Sequence, residues 1–76
     1  MTRQGFLRFL DELLEMEPGS LTGEELLQDL EAWDSLAVVG FIGLVDEQLG
    51  LSVSPDLIAS CTTVDCLVNL VSSKLV

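Results

Sequence analysis

The stretch Trp33-Asp34-Ser35-Leu36 opens the most apolar segment of the chain and decides how the rest of it folds. Asp34 and Ser35 are both residue types that cap helix N-termini, and no proline follows for sixteen residues. We therefore expect a helix from Ser35 to about Leu49. A helix start exposes unpaired backbone N–H groups and a partial positive charge, which favour a phosphate ester on a nearby hydroxyl. The position of Ser35 thus suits the covalent attachment of a phosphate-linked group.

Apolar residues that recur at three- and four-residue steps predict three more helices. We expect the first from Thr2 to about Glu17, closed by Pro18-Gly19, and a short third from Asp56 to about Ser60, with Ser54 as its cap and Pro55 as its first residue. A fourth is expected after Thr62 or Thr63. The predicted core positions are Phe6, Leu10, Leu13 and Leu14, then Val38, Phe41, Ile42, Val45 and Leu49, then Leu57 and Ile58, and finally Val64, Leu67, Val68, Val71 and Leu75. The fold class is therefore all-α: one domain over 1–76, a small four-helix bundle of three longer helices and one short helix.

The connection between the first two long helices, 18–34, is long for so small a domain. Thr22-Gly23-Glu24-Glu25 fits a capping box, which predicts a helical turn or two through Leu26, Leu27 and Leu30. Arg8 on the first helix is expected to pair with Asp11 or Glu12 on its outer face.

The charge of the chain is strongly one-sided. Thirteen acidic residues face three basic ones, Arg3, Arg8 and Lys74, which gives a net charge of −10. Nucleic acid and anionic membranes would repel such a domain, so we expect partners with basic surfaces. The alternative is that acidity only keeps a small domain soluble when 49% of its residues are hydrophobic.

No part of the sequence looks like a membrane span or a secretory signal. The longest apolar run, Leu36 to Val45, is well short of the ~20 residues that a span requires. Arg3, Arg8 and Asp11 interrupt the apolar residues of the N-terminus, unlike a signal peptide. We therefore expect a cytoplasmic protein without a membrane partner.

The chain lacks the residues of an enzyme or a metal site. It has no histidine and a single lysine, so no base is present to activate Ser35 as a nucleophile. Cys61 and Cys66 alone do not make a zinc site, and we expect both to be unpaired and inert. We predict no enzyme activity and no metal, and infer that Ser35 is a substrate of another enzyme.

Asp34-Ser35-Leu36 resembles the attachment motif of acyl carrier proteins, and other parts of the chain match that family in order and spacing. These parts are Asp29-Leu30, the apolar helix after Ser35, Gly50-Leu51, the segment that Pro55 opens, and Thr63-Val64. The resemblance implies that a phosphopantetheinyl transferase joins 4′-phosphopantetheine from coenzyme A to Ser35, with Asp34 as the flanking motif residue. It also implies a monomer that carries its cargo as a thioester to separate acyl- or aminoacyl-loading and processing enzymes.

In this family, partners dock on the helix that follows the serine. By position, the resemblance assigns partner docking to Leu36, Val39, Asp46 and Glu47. Gly40 and Gly43 lie on the same face, and a close approach by another surface would explain why glycine is kept there. Trp33 is expected to pack as a hydrophobic staple, with a contact to the arm as the alternative.

The chain also departs from the patterns of two common carrier classes. Ala32-Trp33 stands where many fatty-acid carriers have Gly-Ala, and Gly40 stands where they have an acid. The glycine pair that precedes the serine of peptidyl carriers is also absent. This favours a free-standing, specialised carrier whose cargo is an acyl group, a hydroxyacyl group or an amino acid. The competing hypothesis is an acidic helical adaptor that binds a basic partner and is never modified.

Overall fold

The computed structural model describes all residues, 1–76, and contains four α-helices and no β-strand. The helices are α1 (Arg3–Leu13), α2 (Ser35–Leu49), α3 (Pro55–Ala59) and α4 (Val64–Leu70), with short 3₁₀ turns at Leu27–Asp29 and Ser72–Lys74. α2 packs against α1 and α3, and α1 also contacts α4. The predicted all-α fold is confirmed. None of these helices is long and apolar enough to cross a membrane.

The core confirms most of the predicted apolar stripes. It contains Phe6, Leu7, Leu10, Leu14, Leu21, Leu27, Ala37, Phe41, Val45, Val53, Ile58, Cys61, Val64, Leu67, Val68 and Val71. Phe6 of α1 and Phe41 of α2 meet edge to face at its centre, with ring centroids 6.0 Å apart. Leu57 was predicted to be buried, which is wrong, because the five-residue α3 turns only Ile58 inward and leaves Leu57 half exposed.

α2 begins and ends at the predicted residues. Gly50 ends the helix in the left-handed conformation (φ 67°), and its N–H donates to the Asp46 carbonyl at 3.0 Å. The buried positions are Ala37, Phe41 and Val45, whereas the other predicted core positions of this helix are half buried at its flanks.

α1 ends four residues earlier than predicted. Glu15 adopts a left-handed backbone (φ 57°), and its N–H donates to the Glu12 carbonyl at 3.1 Å. The N–H of Met16 reaches back to the Asp11 carbonyl at 2.7 Å. This pair of bonds is the Schellman arrangement that ends helices, usually with glycine at the position of Glu15. Since no glycine marks this site, the sequence pattern pointed to Pro18-Gly19 instead.

Arg8 was predicted to pair with Asp11 or Glu12 on the outer face of α1, which is wrong, because Arg8 forms no ion pair and Asp11 does not lie on that face. The Asp11 side chain is fully buried (0% exposed). Oδ2 accepts a hydrogen bond from the Gly19 N–H at 2.9 Å, and Oδ1 accepts one from the Leu21 N–H at 3.1 Å. A buried carboxylate needs hydrogen-bond donors for its oxygen atoms, and Asp11 finds them in the long connection. Asp11 therefore holds the start of the long connection against α1.

The long connection is held by backbone pairing with the start of α4. The N–H of Leu27 donates to the Thr62 carbonyl at 2.9 Å, and the N–H of Val64 donates to the Glu25 carbonyl at 3.0 Å. Leu26 and Thr63 form an isolated antiparallel bridge between these bonds. The predicted helical turns are therefore reduced to the 3₁₀ turn at Leu27–Asp29, because the backbone groups bond to another part of the chain.

The capping-box side chains nevertheless interact without starting an α-helix. The Glu25 carboxylate accepts hydrogen bonds from the backbone N–H groups of Thr22 and Gly23. Burial alone would raise the pKa of Glu25, but these bonds favour the ionised form and the pKa is lowered overall.

A single ion pair lies beside this turn. Arg3 of α1 pairs with Asp65 of α4 and also donates to the Thr22 carbonyl at 3.1 Å. Both charged side chains occupy the space where a Cβ on residue 23 would lie, and Gly23 has a positive φ of 110°. Only glycine fits this place without strain.

Cys61 and Cys66 were predicted to be unpaired, which is wrong. They form a disulfide that joins the turn after α3 to the first turn of α4, with the Cα atoms 5.4 Å apart. The interpretation failed because it relied on the expected compartment, whereas the capped start of α4 brings the two residues within bonding distance.

The two glycines of α2 differ in their surroundings, which predicts different effects of alanine. A Cβ on Gly40 would lie 2.9 Å from Cδ1 of Leu13 on α1, whereas one on Gly43 would meet nothing within 4 Å. We expect Gly43→Ala to stabilise the fold by about 0.5–1 kcal/mol through helix propensity. Gly40→Ala should gain less or destabilise, because Leu13 must move. Urea denaturation measures both, and equal stabilities of the two variants would contradict the close packing of Gly40.

Candidate cofactor attachment site

Ser35 is the first residue of α2, and its side chain is exposed. Asp34 precedes it with an extended backbone, and its Oδ1 accepts a hydrogen bond from the Ala37 N–H at 2.9 Å. Asp34 is therefore the residue that caps the helix. The sequence left this role open between the two residues, and its assignment to Asp34 leaves the Ser35 hydroxyl available to another molecule.

The helix behind Ser35 supplies a favourable field for a phosphate group. α2 is fifteen residues long and has no acidic residue in its first turn. The partial positive charge of its N-terminus is therefore offset mainly by the capping carboxylate of Asp34. A phosphodiester on the Ser35 oxygen would lie beside the first backbone N–H groups, where an anion is stabilised.

An open groove with a volume of about 450 Å³ begins beside Ser35 and runs between α2 and α3. Its apolar lining includes Leu27, Trp33, Val38, Pro55, Ile58 and Ala59, and Cys61 also lines it. The volume falls within the ~300–1,000 Å³ range of small-molecule pockets. It was not predicted that Leu27 of the long connection, or the segment 55–61, would line a groove with Ser35. Nothing in the sequence indicates how the long connection and α3 pack around α2.

Trp33 contributes to both the core and the groove. Its ring meets Phe41 edge to face with centroids 5.9 Å apart, and the residue also lines the groove with Val38. The predicted packing against α2 is therefore present, with Phe41 as the aromatic partner. Ser35 lines the same groove as Trp33, so packing against the core and a contact to an attached arm are compatible.

The four predicted docking residues lie on the surface of α2. Leu36 is 81% exposed and Val39 is 67% exposed, which is unusual for large aliphatic side chains. Asp46 and Glu47 are also exposed, in the last turns of the same helix. Gly40 does not belong to this surface, because it faces Leu13 of α1.

The start of α2 combines three features in one place. An exposed hydroxyl at a helix start, a separate capping residue and an adjacent apolar groove fit a phosphate-linked arm with a partly apolar body. The family model described as "Phosphopantetheine attachment site" matches residues 5–71 of the chain. No curated protein sequence and no solved structure matches the chain significantly.

Proposed function

The chain belongs to the phosphopantetheine attachment-site family, and we propose that Ser35 bears its 4′-phosphopantetheine and presents an acyl or aminoacyl thioester to separate enzymes. The family binds this cofactor covalently, and its members act as carriers rather than as catalysts. The observation that carries the assignment to Ser35 is its exposed place at the start of α2, with Asp34 as the cap.

The chain contributes position and surroundings, and the bond-making groups come from elsewhere. On a phosphopantetheinyl transferase, the Ser35 oxygen forms a bond to the arm's phosphorus, the pyrophosphate bond of coenzyme A breaks, and adenosine 3′,5′-bisphosphate leaves. The transferase must supply the base that takes the Ser35 proton, because this chain has no histidine and its single lysine is Lys74. The attached group supplies a terminal thiol that holds cargo as a thioester. The helix start stabilises the phosphodiester charge, and the side chains of Trp33, Val38 and Ile58 exclude water from one side of the groove.

We propose that partners dock on the outer face of α2. Leu36, next to Ser35, and Val39, about one turn further along, give a small apolar contact, and Asp46 and Glu47 add negative charge on the same helix. No basic residue occurs on α2, so these acids lack an intrahelical partner and can attract a basic enzyme surface. Buried apolar contacts mainly set the dissociation rate, and exposed charges mainly set the association rate.

Truncation of Leu36 is expected to weaken docking without disturbing the fold. The Leu36→Ala variant should lose about 1–2 kcal/mol of binding free energy, or roughly five- to thirtyfold in affinity, chiefly through faster dissociation.

The Asp46→Lys/Glu47→Lys double variant should instead slow arm transfer at low salt and flatten its salt dependence. At physiological salt the Debye length is ~8 Å, so the attraction between these exposed charges and a basic partner is largely screened there. Both this variant and Leu36→Ala are measured as initial rates of arm transfer across a salt series.

Two control variants separate this surface from general effects. Val76→Ala removes part of an aliphatic side chain that is 93% exposed outside α2. Glu12→Lys/Glu17→Lys changes the net charge by the same amount on another part of the surface. If the α2 variants and their controls transfer the arm at equal rates, docking takes place elsewhere.

The function itself is tested by the mass of the intact chain. The protein is incubated with coenzyme A and a broad-specificity transferase, and we expect it to gain the mass of one 4′-phosphopantetheine group. With acetyl-coenzyme A it should gain the acetylated arm, and hydroxylamine should then release the acetyl group from its thioester. An unmodified acidic adaptor is the competing function, and it predicts no mass gain in either reaction.

A further inference from the structure

One cysteine of the Cys61–Cys66 disulfide lines the groove that Ser35 also lines. Cys61 and Ser35 line the same groove, and Ile58 and Ala59 of α3 line it between them in the sequence. Cys66 does not line this groove and is half buried in the first turn of α4. The two cysteines of the disulfide therefore differ in their position, since only Cys61 borders the groove.

Thiols in solution have poor access to the same bond. Cys61 is only 8% exposed and borders two pockets, the groove beside Ser35 and a smaller one lined by Leu26 and Thr62, so a dissolved thiol must enter one of them to meet the sulfur. A thiol tethered to Ser35 has an effective concentration on the order of mM near Cys61, provided that the tether is long enough to span the two residues. Thiol–disulfide exchange depends on such access as well as on the fraction of attacking thiolate.

We infer that the 4′-phosphopantetheine thiol of this chain exchanges with the Cys61–Cys66 disulfide and forms a mixed disulfide with Cys61. This inference rests on the proposed attachment to Ser35. The arm thiolate attacks the Cys61 sulfur, the bond between Cys61 and Cys66 breaks, and Cys66 leaves as a thiolate that takes a proton from solvent. One disulfide is replaced by another, so the step needs no external oxidant or reductant.

The exchange would give the carrier without cargo a form in which the arm is bound to Cys61. An arm that bears cargo has its sulfur in a thioester and cannot attack, whereas an empty arm is held in the groove as the mixed disulfide. Attack by Cys66 on the mixed disulfide restores the original pair and frees the arm. The total number of free thiols is one in both forms, so the two differ only in which sulfur is free.

A single protease that cleaves before aspartate places the sulfurs of the arm, Cys61 and Cys66 on three different peptides. Cleavage before aspartate places Ser35 in peptide 34–45, Cys61 in peptide 56–64 and Cys66 in peptide 65–76. The chain is loaded without reductant, freed of coenzyme A, quenched in acid and treated with maleimide before digestion. We expect peptide 34–45, through its arm, to be joined to 56–64, and maleimide to label Cys66.

Three controls decide the interpretation. The chain loaded from acetyl-coenzyme A should keep 56–64 joined to 65–76 and take no maleimide. The unloaded chain should show the same pair, and its exchange with about 10 µM free pantetheine should be at least about 100-fold slower than exchange in the loaded chain, given a tethered concentration on the order of mM. The yield of the linked peptides should not change on tenfold dilution, since the reaction is within one chain.

Each other result overturns a defined statement. A loaded arm labelled by maleimide, with 56–64 still joined to 65–76, overturns the exchange but leaves the proposed function intact. Linkage of the arm to 65–76 overturns the assignment to Cys61, and two maleimide groups on the unloaded chain overturn the disulfide on which the inference stands. Absence of the arm from 34–45 overturns the proposed function, and this inference with it.

Discussion

Replacement of Ser35 by alanine is expected to abolish the attachment of 4′-phosphopantetheine while the helices stay intact. The transferred group has no other acceptor at the start of α2, because Ser35 supplies the only hydroxyl next to the capping residue. The capping bond from the Ala37 N–H to Asp34 does not involve Ser35, and alanine has the highest intrinsic helix propensity of the amino acids. The rate of arm transfer should fall below detection in intact-mass measurements, with unchanged helicity by circular dichroism.

Ser52→Ala is the matched control for this loss. Ser52 is also exposed and lies in the link between α2 and α3 rather than at a helix start. We expect this variant to accept the arm at the rate of the original chain. A mass gain in the Ser35→Ala variant, or a loss of transfer in both variants, would place the attachment elsewhere or show that transfer fails for a general reason.

Replacement of Asp11 by alanine is expected to cause the largest loss of stability of any single change discussed for this chain. The variant leaves the buried N–H of Leu21 without its acceptor and also removes the part-buried, charged acceptor of the Gly19 N–H. An unpaired buried donor costs about 1–3 kcal/mol, so we expect a loss of about 2–4 kcal/mol. For a chain whose total stability is roughly 4–11 kcal/mol, this lowers the melting temperature by about 8–32 °C.

Two further variants test the physical reason for that loss. Asp11→Asn keeps one oxygen acceptor and should be less destabilised than Asp11→Ala. Glu12→Ala removes the neighbouring exposed carboxylate of α1, and its free energy of unfolding should change by no more than about 0.5 kcal/mol. Urea denaturation measures all three. Equal stabilities of the Asp11→Ala and Glu12→Ala variants would contradict the role of Asp11 as the buried acceptor that holds the long connection to α1.

The candidate site could be predicted from the sequence to the extent that it depends on neighbours in the chain. Asp34 and Ser35 are adjacent, and the helix that follows them has a clear apolar period and a glycine at its end. These local signals were enough to place the serine hydroxyl at a helix start. They could not decide which of the two residues makes the capping bond, because both side chains have an oxygen within reach of the first free N–H groups.

The groove beside Ser35 could not be predicted in the same way. Its walls come from the long connection, α2 and α3, and Cys61 lies beyond α3. The meeting of these segments depends on pairing across the fold, such as the bond from the Leu27 N–H to the Thr62 carbonyl. Side-chain patterns carry little information about backbone hydrogen bonds between distant residues.

The sequence by itself determined the helical class, the bounds of α2, the cap of α3 and most of the core, because each depends on residues within one or two helical turns. Only the tertiary structure decided the burial of Asp11, the exposure of Leu57, the contact of Gly40 with Leu13 and the pairing of Cys61 with Cys66. These depend on which element packs beside another. Residue type gives only an average preference for burial or pairing. In the folded chain each residue has one environment, and a charged side chain can be buried there if its hydrogen-bond partners are buried with it.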